Sequence, residues 1–566
     1  MAETRPNPRF ARASVAVGLL LAAFVIYARG VSAPYLWDDV SLIEQNRTLD
    51  DTANIPRYFL EDLGHFNRDP REMGFYRPLQ ALAFHLDAAL FGRNAAAERA
   101  INILWHALAG IAVFLLAATV IPSERWAAAA GFAFVLNPLS SEQVMLIANR
   151  GGLMTAVLAL WTLVFLERSL RNGKAICRKS LAVAAVLYLA ALLSKPEAIT
   201  MPALTALWFI FAHPKRIREA RVWIATIGLV TAVTAAYAFW RWGYLGITHG
   251  HRVEGFALPF RDRFLAAPRI MLEALRLILL PVNLRVVRSV NIAEYANAAS
   301  FAVSAATWLV FFAAAFAARK RAPGLLFGLL FFALAVGPYS GLVTIMRAVV
   351  EHYYYIPTVG VCVALGAGFA SWRRERVAVI VAAAVFASYA AGTVNRLGPW
   401  RSEHALWLDN VRKEPMNPHA LNNLASVYAE RGEPEQALPY LDASIAVNPG
   451  DVKARANRAN LAVTLERWDT VLEDVRVVLD REPCHAKALV HLGRLMVRRP
   501  SADADAFAAD YAAGHPCAAV LEIGRGMALE EQGRSDEARA AYERFLTAAP
   551  DHPLAGRIRE RLDDRM

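Results

Sequence analysis

The sequence predicts an all-α protein, a bundle of membrane-spanning helices followed by a solenoid of paired helices. Hydrophobic residues make up 56% of the 566 residues, more than a soluble chain of this length normally carries. They are concentrated before residue 395, whereas the region after 400 is charged and rich in helix-forming residues. We therefore expect a membrane domain over 1–398 and a separate helical domain over 399–566.

The membrane domain begins with the apolar segment 13–29, which is followed by VSA, a sequence that resembles a signal-peptide cleavage site. Pro34 directly after Ala33 disfavours cleavage, so the segment is predicted to remain as a helix. Later segments approach the roughly 20 residues that a helix needs to cross a bilayer core, and about eleven transmembrane helices are predicted in all. The later segments are 101–120, 126–142, 152–168, 181–195, 197–212, 222–240, 300–318, 323–338, 354–371 and 376–394.

The topology is predicted from four strongly basic loops, which are RSLRNGKAICRKS, HPKRIREAR, ARKRAPG and SWRRERVA. Because cytoplasmic loops are enriched in Lys and Arg, these loops and the N-terminus are predicted to face the cytoplasm. The same loops account for the net charge of +11, and no nucleic-acid-binding motif accompanies it. The C-terminal domain then lies on the opposite side, provided that the charged helix 263–280 lies in the membrane plane or is re-entrant. If that helix spans, the side of the C-terminal domain stays open.

The C-terminal domain contains a repeat. In NPHALNNLASVYAERGEPEQALPYLDASIAVNP, small and apolar residues stand at tetratricopeptide spacing, and Pro483 follows Pro449 by 34 residues, one repeat length. The consensus positions in this copy are Leu421, Leu424, Ala425, Tyr428, Ala437 and Leu441. The last copy, from Gly526 to Pro550, has the same frame, and two more degraded copies lie between them. Such arrays form concave surfaces that bind peptides or proteins. The alternative is that a short array serves only to cap an enzyme or to mediate its dimerisation.

The four cysteines are Cys177, Cys362, Cys484 and Cys517, and they fit no metal-ligand or CxxC spacing. No metal site is therefore predicted. Cys484 and Cys517 can pair if the C-terminal domain lies in an oxidising compartment.

Charged residues collect in the loops that the topology places outside. The first and longest, 30–100, carries the adjacent acids Asp38 and Asp39 just after the first helix. The other charged residues of these loops are Arg77, Glu142, Arg150, Lys195, Glu197, Arg347 and Glu351. Opposite charges at membrane depth are costly unless they pair or line a functional cavity. Any one of them is explained by an ion pair or an interfacial anchor, but the collection predicts a functional site.

These motifs, in their order along the chain, resemble the transmembrane and tetratricopeptide repeat O-mannosyltransferases and their bacterial relatives. The resemblance rests on WDD after the first helix, YRPL, NPLSSEQVMLIANRGG, LLSKPEAIT, EHYYYIPTVG and the repeats, from about 36 to 450. It implies a GT-C-type glycosyltransferase of the bacterial inner membrane that takes its sugar from a polyprenyl phosphate on the periplasmic face. Asp38 or Asp39 is then the general base, with Asp38 favoured by the resemblance.

By the same resemblance, the candidates for binding the donor phosphate or substrate are Arg77, Arg150, Lys195, Arg347, His352, Tyr353 and Glu142. The chemistry agrees, because glycosyl transfer to a hydroxyl needs a carboxylate to take the proton and cations at the departing phosphate. No cofactor is predicted beyond the lipid-linked sugar. The expected acceptor is Ser or Thr of a protein bound by the repeats.

The sequence departs from the family pattern at two places. Asn137 and Ser140 stand where histidines are usual, and His352 stands where an arginine is usual. The sugar, mannose or another hexose or pentose, therefore stays open. The competing interpretation is a non-enzymatic membrane anchor that presents the repeats, and this would not require the ordered charged loops. A transporter is disfavoured because the membrane segments show no internal repeat.

Overall fold

The computed structural model describes residues 8–63, 74–171, 175–247, 259–290, 292–343 and 349–563. Every regular element in these ranges is a helix, so the all-α prediction is confirmed. The chain separates into two compact units between Ala405 and Leu406.

The first unit contains helices of very different lengths. They are α1 (Pro8–Tyr27), α2 (Ile55–Tyr58), α3 (Pro78–Phe91), α4 (Ala95–Val120), α5 (Glu124–Leu136), α6 (Ser141–Met145), α7 (Arg150–Leu170), α8 (Arg178–Ser194), α9 (Met201–Ala212), α10 (Ala220–Trp223), α11 (Leu229–Ala238), α12 (Phe260–Leu279), α13 (Ile292–Tyr295), α14 (Ala298–Ala318), α15 (Pro323–Val336), α16 (Tyr355–Ala370) and α17 (Glu375–Arg396). A π-helical turn, Phe239–Tyr244, continues α11. The 3-10 turns Pro196–Thr200 and Glu351–Tyr354 precede α9 and α16.

Seven helical stretches in the described residues are long and apolar enough to cross a membrane. They are Ala11–Gly30, Ala95–Val120, Ile147–Leu170, Ala220–Tyr244, Ala298–Ala318, Glu351–Ala370 and Glu375–Arg401. The other four predicted spans fall on α5, α8, α9 and α15, which have 13, 17, 12 and 14 residues. A bilayer core needs about 20 residues, so seven of the predicted segments reach full length and these four are shorter, and the total of about eleven spans stays a prediction. Apolar windows located the helices but did not show where each one ends.

Local signals in the sequence explain several helix boundaries. The Asn94 side chain caps α4 by accepting a hydrogen bond from the Ala97 amide at 3.1 Å, as expected of an N-cap residue. Pro78 and Pro323 occupy the first turns of α3 and α15, where the missing N–H costs nothing. Small residues set the closest approach between helices, since a Cβ on Gly328 of α15 would overlap the Gly360 carbonyl oxygen of α16.

Helix α12 coincides with the segment predicted to lie in the membrane plane. It buries one face, Ala266, Ile270, Ala274, Leu277 and Ile278, in a core shared with α14, α15 and α16. Its charged residues lie outside this face, and Arg276 pairs with Glu273 at 2.5 Å. The helix is strongly amphipathic, which is typical of an interfacial helix.

The second unit begins within the first helix named below and consists of packed helix pairs. The elements are α18 (Glu403–Lys413), α19 (Pro418–Glu430), α20 (Pro434–Val447), α21 (Val452–Thr464), α22 (Trp468–Arg481), α23 (Ala486–Arg498), α24 (Ala502–Gly514), α25 (Leu521–Glu531), α26 (Ser535–Ala548) and α27 (Ala555–Asp563). The predicted consensus residues Leu421, Leu424, Ala425, Ala437 and Leu441 are all buried. Helix pairs of this length packing on their neighbours are the architecture that the repeat predicts.

A disulfide joins Cys484 to Cys517. Cys484 precedes α23 and Cys517 follows α24, so the bond closes the third helix pair. This is one of the two more degraded copies. The pairing that the sequence allowed is therefore present, and it constrains this repeat.

Candidate active site

The adjacent acids lie just beyond the first helix. The chain leaves α1, makes a 3-10 turn from Ala28 to Gly30, and reaches Trp37, whose φ is 52°. A left-handed conformation is unusual for a bulky residue and marks a constrained backbone. After it, Asp38 is exposed and Asp39 is buried. The two neighbouring carboxylates therefore have opposite environments.

Asp39 acts as a buried acceptor for backbone N–H groups. Its Oδ1 accepts a hydrogen bond from the Ala148 amide at 2.7 Å, and its Oδ2 accepts one from Leu36 at 3.3 Å. Burial raises the pKa of Asp39 to about 7, although the Ala148 amide and the Arg99 guanidinium act to lower it. This carboxyl group ties the loop after α1 to the start of α7 and is not free to meet a substrate.

Arg99 of α4 clamps the same loop, and the sequence interpretation missed it. The guanidinium is fully buried and lies 4.0 Å from Asp39 Oδ2. It donates hydrogen bonds, at 2.5–3.2 Å, to the carbonyl oxygens of Met145, Val31, Ala33 and Pro34. Since these contacts occupy the guanidinium, Arg99 positions Asp38 and Asp39 rather than binding a ligand. Its signal in the sequence was a charged residue directly before the apolar segment 101–120.

Arg150 is also held by protein groups. It pairs with Asp87 and donates to Asn102 Oδ1 at 2.8 Å and to the Glu98 carbonyl at 2.6 Å. The side chain is buried. The geometry thus gives Arg150 a cross-linking position between α3, α4 and α7, and its role at the donor phosphate stays a prediction.

A second cluster brings together most of the remaining predicted residues. Lys195 pairs with Glu197, and its Nζ lies 5.7 Å from the centre of the Tyr353 ring. Tyr353 stacks on Tyr339 with centroids 4.5 Å apart. Burial lowers the pKa of Lys195, although Glu197 opposes this. We call Arg77, Glu142, Lys195, Glu197, Tyr339, His352 and Tyr353 the cationic cluster.

Arg77 and Glu142 complete the cationic cluster. Glu142 Oε1 and His352 Nδ1 are 2.6 Å apart. Burial lowers the pKa of Arg77, and Glu197 and Tyr353 lie within its electrostatic range. Arg347, the remaining predicted residue, lies outside the described residues.

Gln80 connects the cationic cluster with Asp39. Arg77 Nη1 lies 3.5 Å from Gln80 Oε1, and Gln80 Nε2 donates to the Ala148 carbonyl at 2.8 Å. The amide of the same Ala148 donates to Asp39. A short path through the Gln80 side chain and the Ala148 backbone therefore links Asp39 to Arg77. The close packing leaves no room for a larger residue at Gly151, where a Cβ would meet Gln80.

Glu351 forms a further buried ion group that the sequence interpretation did not resolve. Its Oε1 lies 2.9 Å from Arg288 Nη2 and accepts a hydrogen bond from the Arg285 amide at 2.5 Å. Arg396 Nη2 lies 3.7 Å from Oε2. The group joins the loop after α12 to the start of α16 and the end of α17. No group of three or more His, Cys, Asp or Glu in the described part of the chain is arranged to hold a metal ion.

Comparisons with known proteins relate the chain to one family. Two family models described as tetratricopeptide repeat match residues 420–453 and 523–559. "Protein O-mannosyl-transferase TMTC3" of Mus musculus is 22% identical over 486 residues, 78% of this chain and 52% of the relative. "Protein O-mannosyl-transferase Tmtc1" of Drosophila melanogaster is 28% identical over 227 residues, 40% of this chain and 26% of the relative.

A third relative, "Protein O-mannosyl-transferase Tmtc2" of Drosophila melanogaster, is 30% identical over 138 residues, 23% of this chain and 14% of the relative. The chain spans about half the length of TMTC3 and less of the two fly proteins. The predicted resemblance to this family and the tetratricopeptide repeats are confirmed. The chain is a multi-pass membrane protein related to proteins named O-mannosyl-transferases.

Proposed function

We propose that this protein is a membrane glycosyltransferase that moves a sugar from a polyprenyl-phosphate donor to a hydroxyl group, Ser or Thr of a protein. The observation that carries the proposal is the contrast between Asp38 and Asp39. One carboxylate is held by backbone N–H groups, and the other is exposed beside it. The names of the relatives support the reaction class and favour mannose.

In the proposed reaction, Asp38 removes the proton from the acceptor hydroxyl as its oxygen attacks the anomeric carbon. The bond between that carbon and the phosphate oxygen breaks, and its electron pair leaves with the polyprenyl phosphate. The proton ends on Asp38, and the products are the glycoside and the lipid phosphate. Asp39 is a positioning residue because its own oxygens are engaged by the Ala148 and Leu36 amides.

The cationic cluster is suited to the departing phosphate. Charge develops on that group in the transition state, and preorganised cations in a dry site stabilise it more than water does. Arg77 and Lys195 provide this charge, while Glu197 holds Lys195 in place. Tyr339 and Tyr353 form an aromatic wall beside Lys195, and the Glu142–His352 contact fixes the far side.

For the location, we propose the bacterial inner membrane with the N-terminus in the cytoplasm and the repeats in the periplasm. The four basic loops support the cytoplasmic side. The Cys484–Cys517 disulfide supports an oxidising compartment for the repeats. On the same side as the active site, the repeats would raise the local concentration of a protein acceptor.

The test is a transfer assay with purified full-length protein, a synthetic polyprenyl-phosphate mannose and Ser/Thr peptides, read by mass spectrometry. Asp38→Asn should lower the rate by about 10²–10⁴-fold, the usual worth of a general base. Glu44→Gln is the matched control, because Glu44 is another exposed carboxylate in the same loop. Its rate should stay at the wild-type level.

Asp39→Asn separates positioning from catalysis. It should reduce both the rate and the thermal stability, since the loop loses its tie to Ala148. Asp38→Asn should lower the stability less, because Asp38 is exposed. Unaltered transfer by Asp38→Asn would refute its role as base. A wild-type protein that transfers no sugar from any polyprenyl-phosphate donor would favour the non-enzymatic repeat scaffold.

A further inference from the structure

Arg241 is a buried arginine that the proposed mechanism does not use. It lies in the π-helical turn Phe239–Tyr244, at the end of the candidate span Ala220–Tyr244. The basic loop HPKRIREAR precedes the other end of this span. Arg241 is therefore at the end of the span that lies away from the cytoplasmic charges. The proposed topology places this end on the same side of the membrane as Asp38.

The Arg241 guanidinium is 1% exposed and incompletely bonded. Nη2 donates to the Gly74 carbonyl at 3.0 Å. Nε and Nη1 make no hydrogen bond of good geometry with the described residues. The guanidinium contacts the uncharged Tyr237 hydroxyl, and no carboxylate in those residues pairs with it. A buried charge in this state is strongly unfavourable unless another group compensates it. The arrangement indicates that an anion belongs there.

Arg77 of the cationic cluster lies near Arg241. The two guanidiniums repel one another, and the fields of both reach the Tyr237 hydroxyl. Arg77 Nε also has no hydrogen-bond partner in the described residues. The carboxylate within its electrostatic range is Glu197, which already pairs with Lys195. The buried Arg241 and the partly buried Arg77 thus share one region in which, among the described residues, the positive charge exceeds the negative charge.

An aromatic surface adjoins the two arginines. We call Phe239, Trp240, Trp242 and Tyr244 the aromatic patch, and its most exposed members are Phe239 at 73% and Tyr244 at 68%. Trp240 stacks on Tyr244 with centroids 4.9 Å apart, and the Trp240 indole N–H donates to the Tyr76 hydroxyl at 2.9 Å. Tyr76 is next to Arg77 in the chain. Arg241 Cζ lies 5.9 Å from the centre of the Trp242 ring. The aromatic patch therefore contacts Arg241 directly and reaches the segment of Arg77 through Tyr76.

We infer that Arg241 and Arg77 bind the phosphate of a prenyl-phosphate lipid and that the aromatic patch holds its first isoprene units. The inference rests on the proposed function and deepens it by adding Arg241 and a lipid-contacting surface to the donor site. A phosphate has several oxygens that can accept hydrogen bonds from the N–H groups of two guanidiniums. Guanidinium–phosphate pairs are strong and directional. Exposed aromatic rings at the end of an apolar span suit the membrane interface.

A prenyl lipid is favoured over free phosphate because the charge and the aromatic patch occur together. Free phosphate would gain nothing from Phe239 or Tyr244. The span that ends here buries only 22% of its apolar window within the protein, so most of it is available to lipid chains. The site is thus placed to take its ligand sideways from the bilayer.

The test measures binding of farnesyl phosphate, farnesol and inorganic phosphate to the full-length protein in detergent, by calorimetry and by the ligand-induced shift in unfolding temperature. The wild type should bind farnesyl phosphate at least tenfold more tightly than either of the other probes. Arg241→Gln should weaken farnesyl phosphate binding at least tenfold, with little change for farnesol. Without ligand, this variant should be as stable as the wild type or more stable, because an uncompensated buried charge has been removed.

Two further variants keep the test decisive if Arg241→Gln fails to fold. Arg241→Lys retains the charge without the planar fork and should bind farnesyl phosphate several-fold more weakly than the wild type. Phe239→Ala should weaken binding of farnesyl phosphate but not of inorganic phosphate. Its matched control is Phe316→Ala, another exposed phenylalanine on a candidate span, 55% exposed, which should have no effect.

Equal binding of farnesyl phosphate by the wild type and by both Arg241 variants would overturn the inference. So would equal affinity of the wild type for farnesyl phosphate and inorganic phosphate. The Asp38→Asn variant separates this inference from the proposed function. It should bind farnesyl phosphate normally while losing transfer, so a failure of one assay does not imply failure of the other.

Discussion

The buried arginines of the two units differ in how completely they are bonded. In the repeat unit, Arg455 contacts Glu473 and Asp474 at 3.1 and 2.7 Å, and its Nε donates to a backbone carbonyl. Arg458 is held by the same two acids and by Asp442. In the membrane unit, Arg241 and Arg77 each have guanidinium N–H groups that make no hydrogen bond with the described residues. A guanidinium that is paired with a carboxylate is structural, whereas a buried one without a carboxylate partner among the described residues indicates a ligand.

The membrane unit contains both kinds of arginine. The N–H groups of Arg99 and Arg150 donate to carbonyl and carboxylate oxygens. In contrast, Arg77 and Arg241 have N–H groups without a hydrogen-bond partner among the described residues. Burial alone therefore does not separate the two roles. The presence of a carboxylate partner does, since Arg99, Arg150, Arg288 and Arg396 each have one, and substitutions can test this distinction.

The largest effect is expected at Arg150. Arg150→Gln leaves Asp87 buried without its partner, and breaking one side of a buried pair costs about 3–5 kcal/mol. Arg77→Gln is the control, since it separates no carboxylate from a bonded arginine and should change stability much less. Thermal unfolding in detergent, followed by circular dichroism, measures both. Equal losses for the two variants would show that the bonding pattern does not report the role.

The next effect is expected at Asp474 in the repeat unit. Asp474→Asn removes the buried charge shared by Arg455 and Arg458 and should cost about 2–3 kcal/mol. Asp442→Asn is the matched control, because Asp442 contacts Arg458 from an exposed position and exposed pairs contribute about 1 kcal/mol or less. Pulse proteolysis of the full-length protein, read from fragments of the repeat unit, compares them. A cost at Asp442 as large as that at Asp474 would contradict the prediction.

A smaller effect is expected from pH at His491. Burial lowers the pKa of His491 to about 4, below the value of about 6.5 in an unfolded chain. The unfolded state therefore binds the proton first, and the repeat unit should lose stability as the pH falls below 6.5. The loss should reach about 2 kcal/mol at pH 5.

His491→Leu should flatten this part of the pH profile. The comparison uses denaturant unfolding of wild type and variant from pH 7.5 to 5. Parallel profiles for the two proteins would show that His491 does not cause the loss.

The smallest effect is expected for the surface pair Arg467–Glu435, whose groups are 2.9 Å apart and mostly exposed. A double-mutant cycle to alanine should give a coupling energy below about 1 kcal/mol. The coupling should decrease in high salt because exposed charges are screened. A coupling energy above about 1 kcal/mol that does not change with salt would contradict the prediction, because it would show that this exposed pair behaves like the buried network around Asp474.

The sequence predicted the elements better than the contacts. The repeat spacing located Leu421, Leu424 and Ala437, and the structure buries all three. The apolar segments located the membrane helices, but α5 was expected to reach residue 142 and ends at Leu136, because an apolar window does not show the turn that follows. For the candidate site, the sequence pointed to Asp38, Asp39, Arg77 and Lys195. It did not reveal Arg99 or Arg241, since an arginine at the end of an apolar segment is normally explained as an interfacial anchor.

By itself, the sequence determined the helical class, the positions of the apolar segments and the repeats, because these depend on the order of apolar and polar residues along one element. Only the tertiary structure decided which charges are neutralised. Arg150 meets Asp87 from another helix, whereas Arg241 meets no carboxylate in the described residues. Periodicity tells which face of a helix a side chain occupies but not what lies opposite. Whether a buried charge is paired depends on that opposite element, and so does the distinction between Asp38 and Asp39.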